Sequence, residues 1–100
     1  MIARIWHGAT RVSKGDEYLR LMREVAIPDY HSVPGNRGAY VLRRIDGGRM
    51  HFLMLTFWES LEAVRTFAGD DVEKAKYYDF DVDFLLELEP SSTHYETFER

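Results

Sequence analysis

The chain has no cysteine among its 100 residues. That excludes a disulfide framework, a thiolate nucleophile and any cysteine-ligated metal. It also lacks a basic excess: 13 Lys and Arg against 17 Asp and Glu leave a formal net charge of −4. Phosphate recognition needs a concentrated basic surface. The nearest approach to one, Arg43-Arg44 with Arg49, flanks a hairpin signal and reads as its solvated edge, so no nucleic-acid partner is expected. The longest largely apolar run is Met50–Trp58, far short of the roughly 20 residues that span a bilayer. Met1 leads straight into Ile2-Ala3-Arg4-Ile5-Trp6, a strand pattern and not a signal peptide. The expectation is a soluble, cytoplasmic protein with no membrane partner. Phosphate-cradling glycine loops are missing too, since Gly47-Gly48 belongs to the hairpin. Asp79-Phe80-Asp81-Val82-Asp83 opens like a calcium loop, but Phe84 stands where glycine is required and Pro90 where a bidentate glutamate is. A solvated acidic connection with Phe80, Phe84 and Leu85 turned inward is the better reading.

What remains is a chain with 45% hydrophobic and 14% aromatic residues, enough for one globular domain over residues 1–100 and too short for a second core. Met50–Trp58 reads as a strand with large apolar groups on both faces. Strict alternation puts Leu53, Leu55 and Phe57 on one face and Phe52, Met54 and Trp58 on the other. Leu53, Leu55 and Phe57 are assigned to the chain's own helices, and Phe52, Met54 and Trp58 to a second copy. Before this strand, residues 2–10 form a first strand. Ser13 offers an N-cap to a helix whose Tyr18, Leu21, Met22 and Val25 make one apolar stripe, and Pro28 should close it. Residues 28–38 are loop-like and 39–45 a second strand. Asp46-Gly47-Gly48-Arg49 signals a tight hairpin. Ser60 caps a helix carrying Leu61, Val64 and Phe67, ended by Gly69. Asp70 and Glu73 have capping-box spacing for a further helical piece to about Tyr78, and residues 92–98 read as the last strand. The order β-α-β-β-α-β belongs to ferredoxin-like α+β plaits, with a four-stranded antiparallel sheet and both helices on one face. Its bare face predicts a homodimer with the two sheets about 10 Å apart.

With order and residues together, the chain resembles the antibiotic biosynthesis monooxygenase family of dimeric α/β barrels. The likeness is carried by Thr56-Phe57-Trp58-Glu59-Ser60-Leu61-Glu62-Ala63, then Phe67 and Ala68, with Pro34-Gly35 and His94-Tyr95-Glu96. The resemblance implies a pocket between sheet and helices. It also implies cofactor-independent oxidation, by O₂, of a small aromatic or quinol-like substrate. A non-catalytic small-molecule binder or structural barrel is the alternative, followed by an isomerase or decarboxylase. In the haem-degrading branch of the family, an asparagine, a tryptophan and a histidine ligand stand where this chain has His7, Phe67 and Tyr77. These differences argue against haem, although tyrosine can ligate ferric iron.

Within that frame, His7 is the candidate base, and otherwise a core histidine bonded to backbone. Tyr77 would orient a substrate oxygen, or else pack at a helix end with Tyr78. Phe67 and Trp58 would form apolar walls, or simple core. Trp58 is the least secure of these, because alternation alone sends it to the partner's side. Taking the first and third strands as parallel neighbours puts His7 and Trp58 near one end of the sheet. The same assumption puts His51 more than ~10 Å from His7 at ~3.3 Å per residue, too far for a shared metal. His31 and His94 have no ligand spacing, so no metal site is expected.

Overall fold

The computed structural model describes residues 1–99. Strand β1 (Ile2–Arg11) is followed by a tight turn at Val12–Lys14 and helix α1 (Gly15–Leu21). A π turn at Met22–Ala26 then leads into α2 (Ile27–His31). Strands β2 (Asn36–Asp46) and β3 (Arg49–Trp58) form a hairpin over Gly47-Gly48, whose φ values of 60° and 74° suit glycine. Helix α3 (Leu61–Ala68), a short 3-10 turn at Asp79–Asp83 and strand β4 (Thr93–Glu96) complete the chain. The sheet order is β2-β3-β1-β4 and every pairing is antiparallel. This is the ferredoxin-like α+β plait.

The first helical segment does not stop at Pro28. It continues to His31 because the π turn shifts the hydrogen-bond register, with the Ile27 N–H bonded to the Met22 carbonyl. Pro28 then sits in the first turn of α2, where its missing N–H costs nothing. The extra turn delivers Tyr30 to the core. Ser13 makes no cap hydrogen bond at this segment's start. Ser60 does cap α3, its hydroxyl accepting from the Ala63 N–H at 3.2 Å. The helical piece expected from Asp70 is not formed. Asp71, not Asp70, accepts from the Glu73 N–H, and residues 73–75 instead bond to residues 90–92 as an irregular ladder. Backbone pairing with β4's approach wins over a capping signal worth about 1 kcal/mol.

The face assignment from alternation is reversed. Met50, Phe52, Met54, Thr56 and Trp58 point to the helices and are buried, while Leu53, Leu55 and Phe57 lie on the open face. The reversal begins in β1. The sequence reading puts Ile5 and His7 of this strand on the helix side. Here Arg4 is buried opposite Thr56, and Ile5 and His7 face outward. Helix α3 approaches closely enough that a side chain at Gly35 (φ 88°) would meet the Ala63 Cβ at 2.5 Å. The open face carries Tyr40, Leu42, Leu53 and Tyr95, between 36% and 58% exposed.

This arrangement predicts opposite outcomes for adjacent residues. Met54→Glu should unfold the chain, and Phe52→Ala should cost about 3–5 kcal/mol. Leu53→Glu should leave the far-UV circular dichroism of the folded chain nearly unchanged. Equal destabilisation by Leu53→Glu and Met54→Glu would refute the assignment.

Candidate functional site

The antiparallel pairing of β1 with β3 puts His7 opposite Leu53 and Ala9 opposite His51. His7 and His51 are therefore diagonal neighbours on the open face, within reach of long side chains. Their rings lie 5.2 Å apart at 24°, and His7 Nε2 stands 2.9 Å from His51 Nδ1. This corrects the expected separation, which rested on parallel strands. It also separates His7 from Trp58, which pairs with Ile2 at the other end of β1.

Glu89 reaches the same point from the far side of β1. After the Thr10–Leu85 bridge the chain bonds Leu86 N–H to the Ala9 carbonyl, and it resumes pairing at Thr93 opposite Ile5. The segment between is longer than the stretch of β1 it passes, so it bulges and brings Glu89 over His7. The Glu89 carboxylate contacts His7 Nδ1. Tyr77 donates its hydroxyl to the Glu89 carbonyl while its ring stands edge-on to Trp6, 6.3 Å away. Burial raises the Tyr77 hydroxyl's pKa, partly offset by a hydrogen bond with Trp6. At the other end of the chain of contacts, His51 Nε2 lies 3.1 Å from the Asp46 carbonyl. The cluster opens onto a concavity of about 380 Å³ lined by His7, Leu42, Arg43, Arg44, Asp46, His51 and Leu53. Arg43 pairs with Asp16 at 2.8 Å and Arg44 with Asp46 at 3.7 Å, which offsets the cationic rim.

Phe67 and Trp58 lie together on the other side of the sheet, with ring centroids 5.7 Å apart. Tyr30 stacks on Phe67 at 4.5 Å. Trp58 Nε1 donates to Thr56 Oγ1 at 2.9 Å. Of the four residues singled out from the sequence, Phe67, Trp58 and Tyr77 belong to the helix side, Tyr77 against Trp6, and His7 alone lies on the open face, linked to Tyr77 through Glu89. Glu89 and Arg4 escaped the sequence reading, and His51 was set aside on the assumption of parallel strands. Antiparallel pairing of β1 and β3, which the plait itself requires, is the signal that would have brought His7 and His51 together.

Arg4 and Asp81 are ionisable groups of the interior, and Arg4 lies under the helices. Its Nη2 donates to the Lys74 carbonyl at 3.1 Å and its guanidinium lies over Phe67, 5.5 Å from the ring centre. Burial lowers its pKa, opposed by Tyr30, and burial pushes the Tyr30 hydroxyl up to about 12. The His94 imidazole across from Arg4 is lowered by burial first and by Arg4 second, with Glu73 opposing. Asp81 is raised by burial, against the opposing effect of hydrogen bonds from the Tyr78 N–H and the Tyr18 hydroxyl.

No family model and no curated protein matches the chain. Solved structures do. A candidate antibiotic biosynthesis monooxygenase from Nitrosomonas europaea has a TM-score of 0.72 at 15% identity, over 99% of this chain and 100% of that one. A variant of MhuD with two manganese protoporphyrin IX molecules per active site gives 0.67 at 20%, over 100% and 97%. Rv0793 from Mycobacterium tuberculosis gives 0.62 at 17%, over 99% and 96%. The chain has the fold of the antibiotic biosynthesis monooxygenases.

The His94 shift sets a pH dependence. A depressed folded-state pKa means that the unfolded chain takes up a proton which the folded chain resists, so stability is retained above about pH 6.5 and lost as pH falls below it. Thermal melts between pH 8 and 5 should show this decline, and His94→Gln should flatten it. An unchanged pH profile in that variant would assign the decline to other groups.

Proposed function

We propose that the chain is an oxygenase of the antibiotic biosynthesis monooxygenase type, oxidising a small aromatic or quinol-like substrate with O₂. The observation that carries this reading is the Glu89–His7–His51 chain of contacts at the floor of a largely apolar concavity. A carboxylate-backed imidazole is a competent general base. Leu42 and Leu53 offer the flat apolar contact that an aromatic ring needs. The fold likeness is consistent with the class but does not carry the reaction, since a fold alone does not fix one.

On this reading the histidine pair removes a proton from an activated CH₂ or phenol of the substrate. For an anthrone-like CH₂, the resulting carbanion gives one electron to O₂. The radical pair closes a C–O bond as a peroxide, and loss of water leaves C=O. The balance is CH₂ + O₂ → C=O + H₂O, with the abstracted proton leaving in the water. His7 is the catalytic residue of this proposal. Tyr77 acts through the Glu89 carbonyl as a positioning residue. Phe67 and Trp58 serve as walls of the interior on the helix side and support the sheet from behind. A second copy, its open sheet face laid on this one, roofs the concavity and excludes water; the exposed apolar residues of that face support such a homodimer.

A protoporphyrin such as that bound by MhuD does not fit these residues between sheet and helices. Phe67 is stacked on Tyr30, Trp58 packs on Phe67, and the Tyr77 hydroxyl is engaged at Glu89. That same filled interior favours the second reading, a non-catalytic dimeric barrel binding a small molecule on its sheet face.

Oxygen uptake by the purified protein with hydroquinones and anthrone-like substrates separates the two. Turnover should fall by about 10²–10⁴-fold in His7→Gln. In Tyr77→Phe, kcat should fall while KM is little changed. Saturable binding of the same compounds without oxygen uptake would support the binder and overturn the oxygenase.

A further inference from the structure

The contacts around His7 and His51 have a consequence independent of any reaction. The Glu89 carboxylate and the Asp46 carbonyl are both acceptors, so each must receive a proton. His7 Nδ1–H then donates to Glu89, and His51 Nε2–H donates to the Asp46 carbonyl. With both rings neutral, that uses the only N–H of each. The two nitrogens left, His7 Nε2 and His51 Nδ1, face each other across 2.9 Å with a lone pair on each. Two lone pairs at that separation repel unless a cation lies between them. A shared proton is one such cation.

We propose that a divalent transition-metal ion is the other, and that His7 Nε2 and His51 Nδ1 are its ligands. Two nitrogens each ~2.0–2.1 Å from one ion stand ~2.9 Å apart at a right angle and ~3.4 Å apart at the tetrahedral angle. The observed gap accepts the ion with little or no movement. Metal-bound histidines donate their other ring N–H to a carboxylate or a backbone carbonyl, which fixes tautomer and orientation. Both kinds of support are present here, one on each ring. Two imidazoles select Zn²⁺, Ni²⁺ or Cu²⁺ over the oxygen-seeking Mg²⁺ and Ca²⁺. Among the described residues no group of three or more His, Cys, Asp or Glu side chains gathers as a metal site. The chain therefore supplies two ligands, and water fills the remaining positions toward the concavity. Arg43 and Arg44 oppose a cation there, and their ion pairs with Asp16 and Asp46 offset that repulsion.

The test is zinc titration of the wild-type protein by calorimetry at pH 7.5, together with electron paramagnetic resonance of the Cu²⁺-loaded form. The expected result is one ion per chain, with nitrogen couplings from two imidazoles. His7→Ala and His51→Ala should each weaken binding by at least 100-fold, and Glu89→Gln by about 10–100-fold. His31→Ala and His94→Gln should leave it unchanged. His7 and His51 lie on the open face, so their variants should keep the wild-type circular dichroism. Should either fail to fold, imidazole ¹⁵N shifts of the wild type on adding Zn²⁺ identify the ligated nitrogens directly. Zinc binding that survives both histidine substitutions, or none at millimolar zinc, would overturn the site. No substrate is involved, so the result stands whether or not the protein consumes oxygen. If it does, zinc should inhibit uptake and a chelator restore it.

Discussion

The antiparallel pairing of β1 with β3, unbroken from Ile2 against Trp58 to Arg11 against Arg49, is the constraint on which the other features depend. Side chains alternate along a strand, so one register decides the facing of every residue in both strands. It sends Trp6, Phe52, Met54 and Trp58 under the helices, and His7, His51, Leu53 and Leu55 to the open face. A slip of one residue would exchange those sets. The pairing also leaves one edge of β1 for β4 and for the segment around Leu86. That edge is where Glu89 arrives. Core and candidate site are therefore two consequences of one ladder.

Arg4 is the exception that the core is built to accommodate. Among the described residues its charge has no carboxylate as a hydrogen-bond partner, and burial opposes ionisation. The compensation is distributed among the Lys74 carbonyl, the face of Phe67 and the oxygen of Tyr30. Tyr30 reaches that position because the π turn carries the helix through Pro28. Phe67 meets a second cation on its ring, Lys76 at 4.3 Å, whose ammonium is also 3.5 Å from Asp29. Two cations on one ring gain from its quadrupole and repel each other. The Asp29 carboxylate, which also accepts from the Tyr78 hydroxyl at 2.6 Å, offsets that repulsion.

The plait was legible because it rests on strong local signals. The hairpin at Gly47-Gly48, the cap at Ser60 and the turn at Pro34-Gly35 form where their residue types require. Facing was not legible, for a definite reason. Both faces of β3 are apolar, so hydrophobicity gave no preference between them. Arg4 gave no sign of the facing either, because the groups that make its burial tolerable come from distant positions, Tyr30, Phe67 and Lys74. The stop at Pro28 failed similarly: proline ends a helix in regular register, and the π turn changes the register. Of the candidate site, His7 and Tyr77 were visible as residue types and their link was not. It passes through Glu89, whose place depends on a bulge with no signal in sequence.

The site's position follows from how this sheet ends. At Trp58 the hairpin partner, the helices and β4 all contribute, and the interior closes over aromatic rings. At the His51 end β4 is absent, and the chain passing there is irregular. Irregular backbone leaves polar side chains free to turn toward the sheet, and apolar strand residues alongside keep them from being fully hydrated. Glu89, His7 and His51 meet under those conditions. The apolar face that invites a second copy adjoins the concavity through Leu42, Leu53 and Leu55. A second sheet laid there would lower the local dielectric around the histidine pair. In that environment a bare lone-pair contact between the rings becomes more costly, and the need for a cation between them grows. Association and occupancy of the histidine gap would thereby be coupled, each favouring the other.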